Sequence, residues 1–361
     1  MIAGPARGVI SALWPATGAS SVQSKPATAA PHRVGDVIEA RRVVVVRKTT
    51  VLEQHEDRPD SRLAAELDAG GSLADRIAAA HGEHVASFRS VVDILQAATV
   101  DVRVVARLTR RDARWADLVV TVGGDGTFLR ASHCIDANGG GDGTPMLGVN
   151  SATSSSVGFF CAATAGDFGE VWRRIRDGEV RTGALWRMRV LLNGRSLPDL
   201  ALNDVLFAHH VPAETTRYSL AVDGHEQHQA SSGLWIATAA GSTAAIRSAG
   251  GEVKPLLDRR LQFRVRELLP LPLAAGRPLI GGTVEQQIEI ICQIRRGVLY
   301  VDGGHHSVVV GYGDRILLQP SSRPMPWVAA DDVEQRRRAV TDSTGAALAA
   351  AGYRTVDGND A

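Results

Sequence analysis

Leu118-Val-Val-Thr-Val-Gly-Gly-Asp-Gly-Thr-Phe-Leu-Arg130 is the stretch on which the reading of the fold turns. A β-branched apolar run, Leu118 to Val122, stops at Gly123-Gly124-Asp125-Gly126-Thr127, and a helix-compatible segment, Phe128 to Ile135, follows. That pattern predicts a buried strand ending in a glycine turn that opens onto a helix. Open α/β sheets bind ligands at the carboxyl ends of their strands, so the turn lies where a site is expected. The glycines let backbone approach a ligand closely and aim N–H groups at an anion. A turn built only to hold phosphate would not favour Asp125, because like charges repel. The carboxylate makes sense if it takes a proton from a hydroxyl attacking phosphorus, or if it helps hold a metal. An Asp-Gly pair alone can be a simple hairpin turn, but these flanks are strand and helix, not two alternating strands. The stretch is neither a Walker A loop nor the spaced Gly-x-Gly-x-x-Gly of dinucleotide folds.

Outward from this turn, the chain alternates strand-like and helical segments. Four valines between cations, at Arg42 to Lys48, suit an inner parallel strand. Residues 53–83 are polar and Ala/Gly-rich, an irregular or helical connection. Val85, Phe88, Val92 and Leu95 recur at helical spacing. Strands are expected at Val102 to Ala106 and Met146 to Val149. A helix over Gly166 to Arg176 carries Phe168, Val171, Trp172 and Ile175 on its core face. This rhythm predicts an N-terminal, doubly wound α/β domain with a parallel sheet over residues 39–178. After Gly178 short strand-like runs take over, at 186–192, 201–208, 217–222, 234–237, 287–293, 298–301, 307–310 and 315–319. Asn193-Gly194, Asp223-Gly224 and Asp302-Gly303 supply turns between them. A β-rich domain is expected over 179–325, followed by a polar tail, 326–361, in which Arg336 to Arg338 belong to a solvated helix.

Composition bounds the function class. At 361 residues with 44% hydrophobic content, the chain is long enough for two cores. A formal net charge of +1 argues against nucleic-acid binding through a basic field. No apolar run approaches the ~20 residues that span a bilayer, so a soluble, cytoplasmic protein without membrane attachment is expected. Cys134, Cys161 and Cys292 lie far apart and are read as reduced thiols. Residues 1–38 are rich in Ala, Pro, Ser and Gly, without an acidic residue before Asp36, and are read as a disordered leader; a transit peptide is the alternative. His133, His209, His210, His305 and His306 show no metal-ligand spacing and are read as isolated histidines.

Three further segments place polar groups where a core would not ask for them. Asn203-Asp204 interrupts the apolar run Ala201 to Val205; the pair satisfies nearby backbone or hydrogen-bonds a ligand such as a ribose diol. Gly233 to Gly251 runs from an apolar strand into a small-residue loop, Thr238-Ala-Ala-Gly-Ser-Thr-Ala-Ala245, and ends Ser248-Ala-Gly-Gly251. Tyr300-Val-Asp-Gly-Gly304 reads as a hairpin turn.

In this order and spacing, the segments resemble the NAD kinase family. The run Thr238 to Ala245 after Ser232-Gly233-Leu234, together with Leu202 to His209 and Leu261 to Glu267, is similar to its plant NADH kinase branch. The resemblance covers residues 42–323. It implies phosphoryl transfer from ATP, with Mg²⁺, to the 2′-hydroxyl of the adenosine ribose of NADH or NAD, in a homo-oligomer, dimer or tetramer. By resemblance, Asp125 is the catalytic base and Gly124, Gly126 and Thr127 line the phosphate turn. Phe159 closes the loop beside it. Asn203, Asp204, Thr243, Ala244 and Ser248 grip the dinucleotide. The chain departs from common members at Ala245, where many have Tyr, in its Asn-Asp pair instead of Asn-Glu, and in the Ser-rich stretch Asn150 to Gly158; altered cofactor preference is the expected consequence. Arg130, Arg247 and Lys254 are candidate phosphate cations, each read singly as a solvated charge. A lipid or sugar kinase shares the glycine motif, but the helix here begins Phe128-Leu-Arg-Ala131 and lacks those families' Asn-Glu pair. A dinucleotide-binding regulator with a weakened site is the other alternative.

Overall fold

The computed structural model describes residues 32–136, 141–153, 156–269 and 278–339. The expected leader therefore lies almost wholly outside the described residues, as do Ser154 and Ser155 of the Ser-rich stretch. Strands β1 (Arg42–Arg47), β2 (Asp101–Val105), β3 (Leu118–Gly123) and β4 (Met146–Asn150) are parallel neighbours in the order β2-β1-β3-β4, and β5 (Cys161–Thr164) pairs with β4. The four β1 valines and Leu118, Val119, Val120 and Val122 of β3 are buried on both strand faces. Each such side chain contributes roughly 1.5–3 kcal/mol of burial, which is why a run without polar alternation becomes an inner parallel strand. The sheet is doubly wound: its order reverses at β1, so the crevice beyond the carboxyl ends of β1 and β3 is a topological switch point.

The polar connection 53–83 folds into α1 (Val51–Asp57), α2 (Ser61–Ala69) and the first part of α3 (Ser72–Ala97). Thr50 caps α1 in a capping box with Glu53, and Asp60 caps α2. The buried stripe of α3 includes His84, Phe88, Val91, Val92 and Leu95; Val85 is only half-buried. Helices α4 (Arg110–Trp115), α5 (Asp125–Ser132) and α6 (Phe168–Arg176) complete this layer, with Phe168, Trp172 and Ile175 buried as expected.

The chain continues through β6 (Gly183–Leu185) into a β-rich half comprising β7 (Met188–Leu192), β8 (Arg195–Ser196), β9 (Asp204–His209), β10 (Thr216–Val222), β11 (His225–Ser231), β12 (Gly233–Ala237), β13 (Leu261–Arg266), β14 (Gly281–Val284), β15 (Ile288–Cys292), β16 (Gly297–Val301), β17 (His306–Val310) and β18 (Arg315–Pro320), and leaves it through β19 (Met325–Trp327). Two antiparallel sheets form, β11-β10-β15-β18-β7-β8 and β14-β13-β12-β9-β16-β17. They share one core, in which Phe207 of β9 meets Tyr218 of β10 edge to face across the sheets, with ring centroids 5.6 Å apart. The Asn-Gly and Asp-Gly turns behave as read: Asn193, Asp223 and Asp302 take φ of 50°, 47° and 50°, each followed by a positive-φ glycine, the pairing that type I′ hairpins require.

Strand β6 and strand β19 return to the first sheet, where β19 runs parallel to β4 and antiparallel to β6. Trp327 is buried against Phe160 of the first core. The segment that follows is helical over residues 333–339, as expected at Arg336 to Arg338, but of the three arginines only Arg338 is exposed to solvent. Arg337 is fully buried and Arg336 is half-buried, because unpaired backbone carbonyls of two loops are available to their guanidinium groups. Among the described residues, no helix is long and apolar enough to cross a membrane.

Candidate functional site

The glycine turn sits at the end of β3 and starts α5. Gly124 is the N-cap, so the Asp125 and Gly126 N–H groups at the start of α5 have no intrahelical acceptor. Glycine is needed in this turn for space: a Cβ on Gly124 would lie 2.8 Å from Ser156 Oγ, and one on Gly123 would collide with Thr127. Gly126 is different. It is exposed, and a Cβ there would meet nothing within 4 Å, so its backbone is open to a ligand. Thr127 is buried and its N–H bonds back to Gly124 O at 2.9 Å.

Asp125 opens the helix and is held from the facing loop. Phe160 N–H donates to Oδ1 at 2.9 Å and Phe159 N–H to Oδ2 at 3.1 Å. Burial pushes the carboxyl above its usual range, and the two N–H bonds and the Arg336 charge partly oppose that rise. Each oxygen keeps a lone-pair position, so a carboxylate with raised basicity is presented at a helix N-terminus. Phe159 thus contributes its backbone to the aspartate, while the adjacent Phe160 ring stacks on Phe128 at 5.0 Å. Gly158 makes the bend, at φ +64°, where an added Cβ would press on Asn150 Nδ2 at 2.7 Å. The Asn150 amide in turn bonds Ser156 O and Ala152 N, and Ser151 bonds buried His84 Nδ1 at 2.8 Å. The described part of the Ser-rich stretch is therefore tied down at Asn150, Ser151 and Ser156.

Asn203 and Asp204 are positioned by Asp302, which was expected only to make a hairpin turn. Its carboxylate accepts from Leu202, Asn203 and Asp204 N–H at 2.7, 2.6 and 3.1 Å. Asp302 also accepts from His133 Nε2 at 2.8 Å, and His133 follows directly on α5. The two motifs are joined through this pair. Asp204 is buried, and burial with the neighbouring Asp302 charge pushes its carboxyl up to about 7. Asn203 Oδ1 is buried without a hydrogen-bond partner among the described residues, an arrangement that costs about 1–3 kcal/mol unless a donor reaches it.

The loop after β12 packs directly on this strand. Thr238 N–H bonds Asn203 O at 2.9 Å, and a Cβ on Gly241 would strike the Asn203 backbone. A short 3₁₀ turn, Ala240–Thr243, leads to α7 (Ala245–Ser248), leaving Thr243 and Ala244 half-buried and Ala245 and Ser248 exposed. Leu202 and Ala240 belong to the same buried cluster as β1, β3 and α5, so these two loops dock against the α/β half.

Neighbouring arginines complete the arrangement. Arg336 donates to Gly158 O at 3.1 Å and Cys161 O at 3.0 Å, bracketing the loop that holds Asp125. Arg337 donates to Ala239 O at 2.7 Å, Ser242 Oγ at 3.0 Å and Lys254 O at 2.9 Å. One short segment therefore fixes both loops, a role that an Arg-rich polar sequence does not announce. Arg336 is a positioning residue for Asp125. Arg336→Met removes a cation that holds the Asp125 carboxyl down, so the acidic limb of a pH–rate profile is expected to move to higher pH. An unmoved limb in folded protein would separate Arg336 from Asp125.

Of the candidate cations, Arg130 is exposed and Arg247 donates to Gly251 O. Lys254 is not the solvated charge expected. It is buried, with Nζ 2.8 Å from Thr283 Oγ1 and 3.8 Å from Asp258. The histidines expected to be isolated include a clustered pair, His133 and His306, whose ring centroids lie 5.1 Å apart beside Asp199; residues this distant in sequence have no spacing to read. The three cysteines are free, Cys161 and Cys292 buried and Cys134 half-buried.

The family model of the ATP-NAD kinase N-terminal domain matches residues 43–180. The chain is 39% identical to the probable NADH kinase of Oryza sativa subsp. japonica, over 55% of this chain and 67% of the relative. It is 37% identical to the NADH kinase of Arabidopsis thaliana, over 62% of this chain and 76% of the relative. Among solved structures, yeast NADH kinase complexed with NADH superposes with a TM-score of 0.62 at 16% identity, over 85% of this chain and 91% of that one. An NAD kinase from Archaeoglobus fulgidus in complex with ATP gives 0.58 at 22%, over 84% and 99%; both share the fold. Identity at this level along two thirds or more of two relatives makes the chain a member of the NAD kinase family.

Proposed function

We propose that the chain transfers the γ-phosphoryl group of ATP to the 2′-hydroxyl of the adenosine ribose of NADH or NAD, yielding NADPH or NADP. The observation that supports this reading is a chain of contacts: Asp125 opens α5 at the switch point, His133 just after α5 bonds Asp302, Asp302 holds the Asn203-Asp204 backbone, and the 238–251 loop packs on Asn203. Two relatives named NADH kinases support NADH as the acceptor to try first.

Phosphoryl transfer depends on positioning and charge neutralisation more than on covalent chemistry. The free N–H groups of α5 and the Gly126 backbone would receive phosphate oxygens. Asp125 would accept the 2′-hydroxyl proton, a role for which a carboxyl raised by burial is suited. Asn203 Oδ1 and the Asp204 carboxylate would accept from hydroxyl or amide groups of the dinucleotide. ATP would enter as its Mg²⁺ complex, whose charge offsets the negative charge that Asp125 brings to the turn. We further propose that the enzyme acts as a homo-oligomer in the cytoplasm.

The test is an endpoint NADP(H) assay with ATP and Mg²⁺, run with NADH and NAD in separate reactions. Product in either establishes the kinase, and the ratio gives its preference. Thermal stabilisation by NADH with no product from either acceptor would replace the reading with dinucleotide binding alone.

A further inference from the structure

His133, Asp199 and His306 come from three parts of the chain, yet each offers a ligand atom within 4.8 Å of the other two. His133 follows α5, Asp199 precedes β9, and His306 opens β17. The cluster therefore ties the end of the glycine-turn helix to the β-rich half. We propose that these three residues hold a divalent cation of the zinc class, at a site distinct from the glycine turn.

The donor set suits such an ion. Two imidazoles and a carboxylate form three of the four ligands that Zn²⁺ takes, water completing the shell. Hard cations such as Mg²⁺ prefer all-oxygen coordination and are disfavoured here. The site also carries the supporting contact that metal-binding histidines characteristically have. His133 Nε2 donates to the Asp302 carboxylate at 2.8 Å, which sets the tautomer and leaves Nδ1 with its lone pair for a cation. Ligand atoms around four-coordinate Zn²⁺ stand about 3.3 Å apart, given bonds near 2.0–2.1 Å, so side-chain adjustment of about 1 Å or more closes the site.

Two carboxylates meet the histidines here, Asp302 at His133 Nε2 and Asp199 at His306 Nε2. Arg110 binds Asp199 through Oδ1 at 2.8 Å, while His306 Nε2 lies 3.1 Å from Oδ2. The cation would take Oδ2 and replace the His306 contact, leaving Arg110 in place. Bound there, it would brace Asp302, and through it the backbone of Leu202 to Asp204.

The experiment titrates tag-free, chelator-stripped full chain with Co²⁺, without nucleotide, so its outcome is independent of kinase activity. One equivalent is expected to bring up the visible absorption of four-coordinate Co²⁺, which one equivalent of Zn²⁺ abolishes. Zn²⁺ should also raise the melting temperature. His306→Ala and Asp199→Asn should lose the band and bind Zn²⁺ at least ~100-fold more weakly, and Asp302→Asn about 10–100-fold more weakly. His306 is 40% exposed, so its substitution leaves a folded control. No band in folded wild-type protein, or an undiminished band in His306→Ala, would overturn the proposal and leave two histidine–carboxylate hydrogen bonds in its place.

Discussion

Asp125→Asn is expected to lower turnover by ~10²–10⁴-fold, the range typical of a lost general base, while leaving the fold intact. The two consequences separate because of how the side chain is held. Asparagine has the same shape and keeps one oxygen to accept from Phe159 or Phe160 N–H. Its amide nitrogen faces the other N–H, a mismatch costing about 1–3 kcal/mol. Against that cost, the substitution removes a charge whose burial is unfavourable in the folded chain, as the raised carboxyl shows. The melting temperature should therefore change little. Turnover in the variant would lose its dependence on the titration of this group, flattening the acidic limb of the pH profile. Activity within about threefold of wild type, far short of the loss a missing base causes, would remove Asp125 from the proton transfer. A large drop in melting temperature would instead assign it to holding the 158–161 loop.

What the sequence makes legible here is local. The valines of β1 and the Leu118 to Gly123 run declare inner parallel strands because burial on both faces removes any polar alternation. Asn193-Gly194 and Asp223-Gly224 declare turns because positive φ is permitted to few residues. Strand β11, His-Glu-Gln-His-Gln-Ala-Ser, is not legible, since it has no apolar alternation and owes its place to the ladder with β10. Within the site, the family motifs point to Asp125, Asn203 and Asp204, but not to the residues that position them. Asp302 reads as a turn residue because its backbone does make the turn. Its carboxylate reaches three N–H groups about a hundred residues earlier, and no local pattern encodes that contact. Arg337 reads as a solvent charge for the same reason: its carbonyl partners belong to loops nearly a hundred residues away.

Asp204→Asn is expected to stabilise the protein at pH 8 while weakening dinucleotide binding. The folded chain holds the Asp204 carboxyl up at about 7, against an ordinary 3.8, through burial first and the Asp302 charge second. A group raised in this way binds its proton more tightly folded than unfolded. Its penalty is absent below about pH 4, grows as pH rises through the interval, and is complete above about 7. At roughly 1.4 kcal/mol per unit the upper bound is a few kcal/mol, enough to move a melting temperature by several degrees in a chain of this size. The neutral amide escapes that penalty, so the gain over wild type should be clear at pH 8 and vanish near pH 4. A charged acceptor contributes about 1.5–3 kcal/mol to a hydrogen bond, so KM for NADH or NAD should rise roughly 10- to 100-fold at pH 8. No gain in stability at pH 8 would mean that Asp204 is better solvated than its surroundings indicate. An unchanged KM would mean that its carboxylate does not face the dinucleotide. Stability gained with affinity lost would identify a residue retained for its ligand at the expense of the fold, a cost that a structural role alone would not explain.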